Sequence, residues 1–280
     1  MTCAVVEFRS LSKTQARVIL SLEADDQELV DLSQIGHRAG VSRGYARKLA
    51  HDLVRKGWLQ RVRSGTYLLT PSHRGPEAIP DLDPIRVGSH VVEPYYFGYA
   101  TAAELHGIFP QASRVYYVVS TARRTLPRLP PLRFQLVRVR PSHFFGTTGI
   151  VRRRERIVVS DLERTLLDCL NRPELAGGIS GVAQMLSLAK PRLNWTRLSA
   201  HLKRFGRRSL TRRVGYLVQR VRPSIPPPER WVRDHLARPG DPYVALDPTA
   251  GRDRTGPRDD RWHLIRNVSD AGLFAEGEPA

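Results

Sequence analysis

Two amphipathic segments joined by a glycine-containing turn constrain the fold of this chain more than any other feature. Residues 31–59 read DLSQIGHRAGVSRGYARKLAHDLVRKGWL. Asp31 is a suitable N-cap with Gln34 three residues on, and the apolar residues that follow repeat at helical spacing. Gly40 can adopt the positive φ that ends a helix, and Ser42 is a favourable N-cap for the next one. The stretch therefore predicts a helix-turn-helix.

The second of these helices, predicted from Arg43 to Lys56, has an apolar face and a basic one. In helix-turn-helix proteins the N-terminal half of this helix meets base edges, and arginine can pair with guanine through two hydrogen bonds. The residues of this helix that we expect to contact DNA are Ser42, Arg43, Gly44, Arg47, Lys48 and His51. A merely solvated basic face would have the same composition, so the helix alone leaves both interpretations open.

The segment that follows favours the DNA-binding interpretation. Gly57 ends the helix, and two β-prone runs then flank Ser64-Gly65, which predicts a β-hairpin with a glycine turn. Arg61 and Arg63 stand at alternate positions, so we expect them to share one strand face and to contact phosphate. Helix, helix and hairpin at this spacing predict a winged helix-turn-helix.

Charge points to a polyanionic partner and lies mostly outside this first region. The 280 residues include 45 Lys/Arg and 27 Asp/Glu, a net charge of +18. Residues 81–222 hold 25 of the basic residues and 9 of the acidic ones. Such an excess is typical of proteins that bind nucleic acid, although a solvated face is the alternative for any single run. The residues predicted to form a second basic surface are Arg152, Arg153, Arg154, Lys203, Arg204, Arg207, Arg208, Arg212 and Arg213.

The length predicts about two domains. We expect a winged helix over residues 1–74, a Pro-rich linker over 75–84 and a larger domain over 85–280. The larger domain is divided into a basic core (85–222), a Pro-rich joint (223–228) and a tail (229–280). Its predicted strands lie at 115–120, 133–140 and 156–160, and its predicted helices at 99–107, after a capping box at Ser160, at 178–189, at 195–205 and at 209–222. The fold class is therefore α+β, an N-terminal winged helix-turn-helix followed by a larger mixed α/β domain.

Several classes of protein are disfavoured. Cys3 and Cys169 form neither a disulfide framework nor a zinc site, and we expect Cys169 in the core. The N-terminal sequence has no secretion signal, and no apolar run is long enough for a bilayer. We therefore expect a cytoplasmic protein with no membrane contact and no cofactor.

We predict no enzyme activity. A metal-dependent nuclease needs paired carboxylates and a lysine, but beyond residue 56 the only lysines are Lys190 and Lys203, neither in an E-x-K arrangement. Asp161, Glu163 and Asp168 are interpreted as cap and surface residues of a helix. A metal-dependent nuclease is thus the least favoured alternative.

Four further segments, in this order and spacing, resemble the AbiEi family of antitoxins. They are YYFGYATAAELHG at 95–107, VVSDLERTLLD at 158–168, RRVGYL at 212–217 and GPRDDRW at 256–262. Together with the winged helix, they extend the resemblance over nearly the whole chain.

The resemblance implies an antitoxin of a type IV toxin–antitoxin system. Its N-terminal domain would bind inverted repeats in its own promoter and repress the operon, and its C-terminal domain would counteract the toxin. The implied toxin resembles a nucleotidyltransferase and would not bind the antitoxin stably. The basic larger domain would bind double-stranded DNA as well or act on the toxin's nucleic-acid target. A plain transcriptional regulator without a toxin partner remains the alternative.

Overall fold

The protein is described by a computed structural model that covers residues 10–25, 27–70, 83–109, 114–152, 155–249 and 255–273. Contacts group the chain into two compact units: residues 1–94 with 122–135, and residues 95–121 with 136–280. Each unit contains helices and strands, and the predicted α+β fold with an N-terminal winged helix is confirmed.

Among the described residues, the first unit contains four helices and a small antiparallel sheet. Its elements are α1 (Lys13–Ala24), β1 (Leu29–Asp31), α2 (Leu32–Ala39), α3 (Arg43–Arg55), β2 (Leu59–Arg63), β3 (Thr66–Leu69) and α4 (Pro84–Gly88). The sheet order is β1-β3-β2. Strand β1 was not predicted, because three residues are too few to show alternation.

Reciprocal capping pairs begin helices α1 and α2, and the second of them involves the predicted cap Asp31. The backbone N–H of Gln15 donates to Ser12 Oγ at 3.3 Å, and that of Ser12 donates to Gln15 Oε1 at 3.0 Å. Asp31 and Gln34 make the same reciprocal pair at the start of α2, both at 2.8 Å. Local sequence alone therefore places these two helix starts, since each cap satisfies backbone donors that the helix leaves free.

Most of the predicted linker, residues 75–82, lies outside the described residues. Its last two residues are Asp83, which caps α4 through a 3.1 Å bond from Ile85 N–H, and Pro84, the first residue of that helix. Arg86 on α4 pairs with Glu28 at 3.0 Å, so α4 is tied to the segment before β1.

The second unit is built on a five-stranded mixed sheet in the order β6-β5-β4-β8-β7. Its strands are β4 (Tyr96–Phe97), β5 (Tyr116–Ser120), β6 (Phe134–Arg138), β7 (Thr147–Arg152) and β8 (Glu155–Ser160). Its helices are α5 (Tyr99–Leu105), α6 (Leu162–Asn171), α7 (Gly178–Ala189), α8 (Trp195–Phe205), α9 (Arg208–Arg220), α10 (Glu229–His235) and α11 (Asp270–Leu273). A second small sheet joins β9 (Val244–Ala245), β10 (Arg258–Asp259) and β11 (Leu264–Ile265).

Helix α6 is the centre of this unit, because its nine residues from Leu162 to Leu170 are all buried. The predicted cap at Ser160 is wrong by one residue: Asp161 accepts from Arg164 N–H at 2.8 Å, while Ser160 ends β8. The predicted surface positions of Glu163 and Asp168 are also wrong. Asp168 pairs with Arg164 one turn earlier on the same helix, and Glu163 pairs with Arg197, which is distant in the sequence.

Candidate nucleic-acid interface

Helix α2 packs closely against the turn and the first part of α3 at Gly36. A Cβ on Gly36 would lie 3.3 Å from Val41 O and 3.5 Å from the Cβ of Ala46, so glycine permits this packing. Gly40 ends α2 with a φ of +67°, and Ser42 Oγ accepts from Tyr45 N–H at 3.4 Å to begin α3. The turn therefore fixes which face of α3 is buried.

The face that α3 buries carries Ala46, Leu49, Ala50 and Leu53. The predicted DNA-contacting residues Ser42, Arg43, Gly44, Arg47, Lys48 and His51 are all exposed. Within the part of the chain that the structure describes, none of the four basic side chains among them has a hydrogen-bond or ion-pair partner. Their charges are therefore available to a ligand.

Tyr45 lies on the same exposed part of α3 and was missed by the sequence analysis. Its side chain is 53% exposed, which is high for an aromatic residue in a helix. The signal was present in the sequence, since Tyr45 falls outside the apolar stripe that the core of this unit uses. A tyrosine here adds a ring and a hydroxyl to the basic surface.

The C-terminal half of α3 is less available. Arg55 pairs with Asp52 at 3.1 Å, and Lys56 Nζ donates to Gln15 Oε1 at 2.9 Å. These contacts neutralise or anchor the cations at that end, so the unpaired charge is concentrated in the N-terminal half of the helix.

The two arginines of the hairpin differ. Arg61 is exposed and has no partner among the described residues, but Arg63 is half-buried and pairs with Glu93 at 3.0 Å. The register of β2 on β3 shifts between Arg61 and Arg63, so strict alternation is interrupted there. Arg63 is consequently engaged within its own unit, and Arg61 is the cation that the hairpin exposes.

The second basic surface is smaller than predicted. Arg212 does not belong to a surface: it is 3% exposed and pairs with Asp241 at 2.9 Å. Asp241 also accepts from Arg208, and its pKa is lowered to about 2, first by the backbone N–H of Arg238 and then by these arginines. Arg213 is half-buried and donates to Ala245 O at 3.0 Å. The physical reason is tertiary, since the segment around residues 238–245 covers this side of α9.

The rest of this set remains at the surface in part. The exposed residues are Arg152, Lys203, Arg204, Arg207 and Arg208, while Arg153 and Arg154 lie outside the described residues. Arg204 lies over the ring of Phe145 at 4.2 Å, and Arg207 donates to Asn171 at 2.7 Å.

Comparison with known proteins gives one family match. Residues 17–70 match the family described as "Transcriptional regulator, AbiEi antitoxin". This confirms the resemblance for the winged helix. The four other segments on which the resemblance rests lie beyond the matched range, and no curated protein matches the chain significantly.

The overall fold also occurs in a solved structure. The crystal structure of the RV2827C protein from Mycobacterium tuberculosis aligns with a TM-score of 0.65 and 18% identity over 93% of each chain. This likeness covers the AbiEi-like winged helix and the larger unit together, and at this identity it concerns the fold alone.

No helix among the described residues has both the length and the apolar character needed to cross a membrane. Within the same residues, no three His, Cys, Asp or Glu side chains are grouped as ligands for a metal ion.

Proposed function

We propose that this protein is the antitoxin of a type IV toxin–antitoxin system and represses its own operon through the winged helix. The observation that carries the DNA-binding part is the exposed, unpaired set of Arg43, Arg47, Lys48 and His51 on the helix that such domains place in the major groove. The match of residues 17–70 to AbiEi antitoxin regulators supports the antitoxin part.

In this proposal, base reading and phosphate contact are divided between two elements. Arg43 and Arg47 read base edges from the first turns of α3, with Gly44 allowing the helix to approach closely. Arg61 binds a phosphate from the hairpin, which adds affinity without sequence preference. Tyr45 supplies a further contact from the same turn, and Arg63 supports the hairpin through Glu93.

Arg47→Ala should weaken specific binding to the protein's own promoter by about 1–3 kcal/mol, because a bidentate base contact is lost. A gel shift with a promoter fragment that contains the inverted repeats measures this loss. Arg17→Ala is the matched control, since Arg17 is an exposed arginine of the same unit on α1. Equal effects of the two changes would contradict the assignment of α3.

The Arg61→Ala variant separates the two roles within the same assay. It should weaken binding to all sequences alike and reduce the dependence of affinity on salt by about one counterion. If it instead changes the sequence preference, the division between helix and hairpin is wrong.

The antitoxin part is tested in cells that carry a gene for the nucleotidyltransferase-like toxin that the resemblance implies. Expressed from an unrelated promoter, the wild-type chain should rescue growth from that toxin. Arg47→Ala should rescue equally, because the resemblance assigns neutralisation to the C-terminal domain. Repression without rescue by the wild type would favour a plain transcriptional regulator.

No catalytic step is part of this proposal. Purified protein incubated with Mg²⁺ and promoter DNA should leave the DNA intact. Cleavage that EDTA abolishes and that follows the protein through purification would contradict it.

A further inference from the structure

A cationic pocket of about 330 Å³ opens in the second unit, where β6, α6 and α8 end. Among the residues that the structure describes, its lining contains a single carboxylate, that of Asp168. The cationic or titratable basic side chains that line it are Arg138, Arg140, His143, Arg164, Arg172 and Arg207. An excess of positive over negative charge in a concave site attracts anions.

Arg164 forms the floor of the pocket and is 1% exposed. Its Nε donates to Asp168 Oδ2 at 3.0 Å and its Nη2 to Tyr96 OH at 3.1 Å. The guanidinium carbon lies 4.2 Å from the ring centre of Phe145 and 4.4 Å from that of Phe205. The rings and the two hydrogen bonds fix the plane of this guanidinium.

One donor of Arg164 is left over. Among the described residues, its Nη1 is buried and has no hydrogen-bond acceptor. A buried donor without an acceptor is unfavourable, so such a group indicates a missing ligand atom or a function. Among the described lining residues, the one carboxylate, that of Asp168, is already engaged by Arg164 Nε, so Nη1 remains free to donate to a ligand.

The remaining arginines line the same pocket. Arg207 is positioned by Asn171 at 2.7 Å, and Arg172 by Glu174 at 2.8 Å. Arg138 and Arg140 are exposed, as expected of groups that a ligand reaches first.

The pKa of His143 reflects the electrostatic potential in the pocket. This pKa is lowered from the ordinary value, first by burial and then by the charges of Arg164, Arg207 and Arg140. The accumulated positive charge thus disfavours one more cation, and the same field favours a bound anion.

We propose that this pocket binds the phosphate group of a mononucleotide-sized ligand. A phosphate has several acceptor oxygens and pairs well with the planar donors of arginine. The volume is within the range of small-molecule sites, roughly 300–1,000 Å³. Tyr99 and Phe205 also line the pocket, and both rings are buried.

The test uses the full-length protein and four probes: inorganic phosphate, pyrophosphate, a set of nucleoside triphosphates and a single-stranded oligonucleotide. We expect nucleoside triphosphates to raise the melting temperature and to titrate by calorimetry, with phosphate binding more weakly. Arg140→Gln should weaken the triphosphate by about tenfold or more, since a charge-assisted hydrogen bond is lost. Arg233→Gln, an exposed arginine of α10 in the same unit that does not line the pocket, should leave the affinity unchanged.

A second readout does not depend on how well a variant folds. A bound anion should raise the pKa of His143. The pH titration of the His143 ring signals by NMR in the wild-type protein measures this change.

Arg164→Lys keeps the charge but removes the planar donors, so a folded Arg164→Lys protein should bind the triphosphate more weakly.

Three results would overturn the proposal. The first is the absence of any melting shift or calorimetric signal with all small probes at millimolar concentration. The second is equal weakening by Arg140→Gln and Arg233→Gln. The third is an oligonucleotide that binds more tightly than the triphosphates and loses affinity in Arg140→Gln, which would assign the pocket to a nucleic-acid strand. Arg47→Ala should not change the pocket, so failure here is distinct from failure of promoter binding.

Discussion

Trp262→Ala should lower the free energy of unfolding of the second unit by about 3–5 kcal/mol, because truncation of a fully buried tryptophan leaves a large cavity. Trp262 is 1% exposed, and its Nε1 donates to Gln219 Oε1 at 2.7 Å. Its ring lies against α9 at Gly215, where an added Cβ would fall 2.0 Å from Cζ3 of the ring. Urea unfolding followed by circular dichroism measures the loss.

A substitution at Gly215 tests the same contact with the Trp262 ring from the side of α9. Gly215→Ala should cost about 1–3 kcal/mol in the wild-type protein, since the new methyl displaces the ring. In the Trp262→Ala background the same methyl enters the cavity, and the cost should largely vanish. Simple additivity of the two changes would contradict the proposed packing. The two residues belong to the RRVGYL and GPRDDRW segments, which the fold brings into contact.

Asp168→Asn should lower the free energy of unfolding by about 3–5 kcal/mol, because it leaves the buried guanidinium of Arg164 without its counter-charge. The pair is separated by 3.0 Å, with exposed side-chain fractions of 1% for Arg164 and 4% for Asp168. The measurement is again the urea transition of the full-length protein.

A double replacement and a surface pair serve as controls for Asp168→Asn. Arg164→Met combined with Asp168→Leu removes both charges together and should cost less than Asp168→Asn alone. Asp52→Ala breaks the exposed pair with Arg55 and should change stability by less than about 1 kcal/mol. A double variant less stable than Asp168→Asn would show that the loss reflects packing rather than an unpaired charge.

Local features of the chain were predictable because their causes are local. The capping pairs at Ser12 and Asp31 satisfy their own backbone donors within three residues. Helices α7 and α8 have the predicted bounds, 178–189 and 195–205, because their apolar repeats match one buried face. The buried face of α3 follows from the same periodicity.

The prediction of surface positions for the acidic residues of α6 was wrong because the contacts that bury them are not local. The helix is enclosed on all sides, so no exposed face exists to match its polar residues. Glu163 accepts from Asn194 N–H at 2.7 Å and from Arg197 at 3.4 Å, and Asp161 pairs with His201 at 2.8 Å. These partners stand more than thirty residues away, where sequence spacing carries no information about contact.

The sequence by itself determined the winged helix, the exposed basic turns of α3 and the secondary structure around them, because caps, glycine turns and apolar repeats act over a few residues. The tertiary structure alone decided which charges are free. It buried Arg212 against Asp241, engaged Arg63 with Glu93 and enclosed Arg164 beside Asp168. The physical reason is that burial, and for Arg212 and Arg63 the ion-pair partner as well, comes from residues distant in the chain.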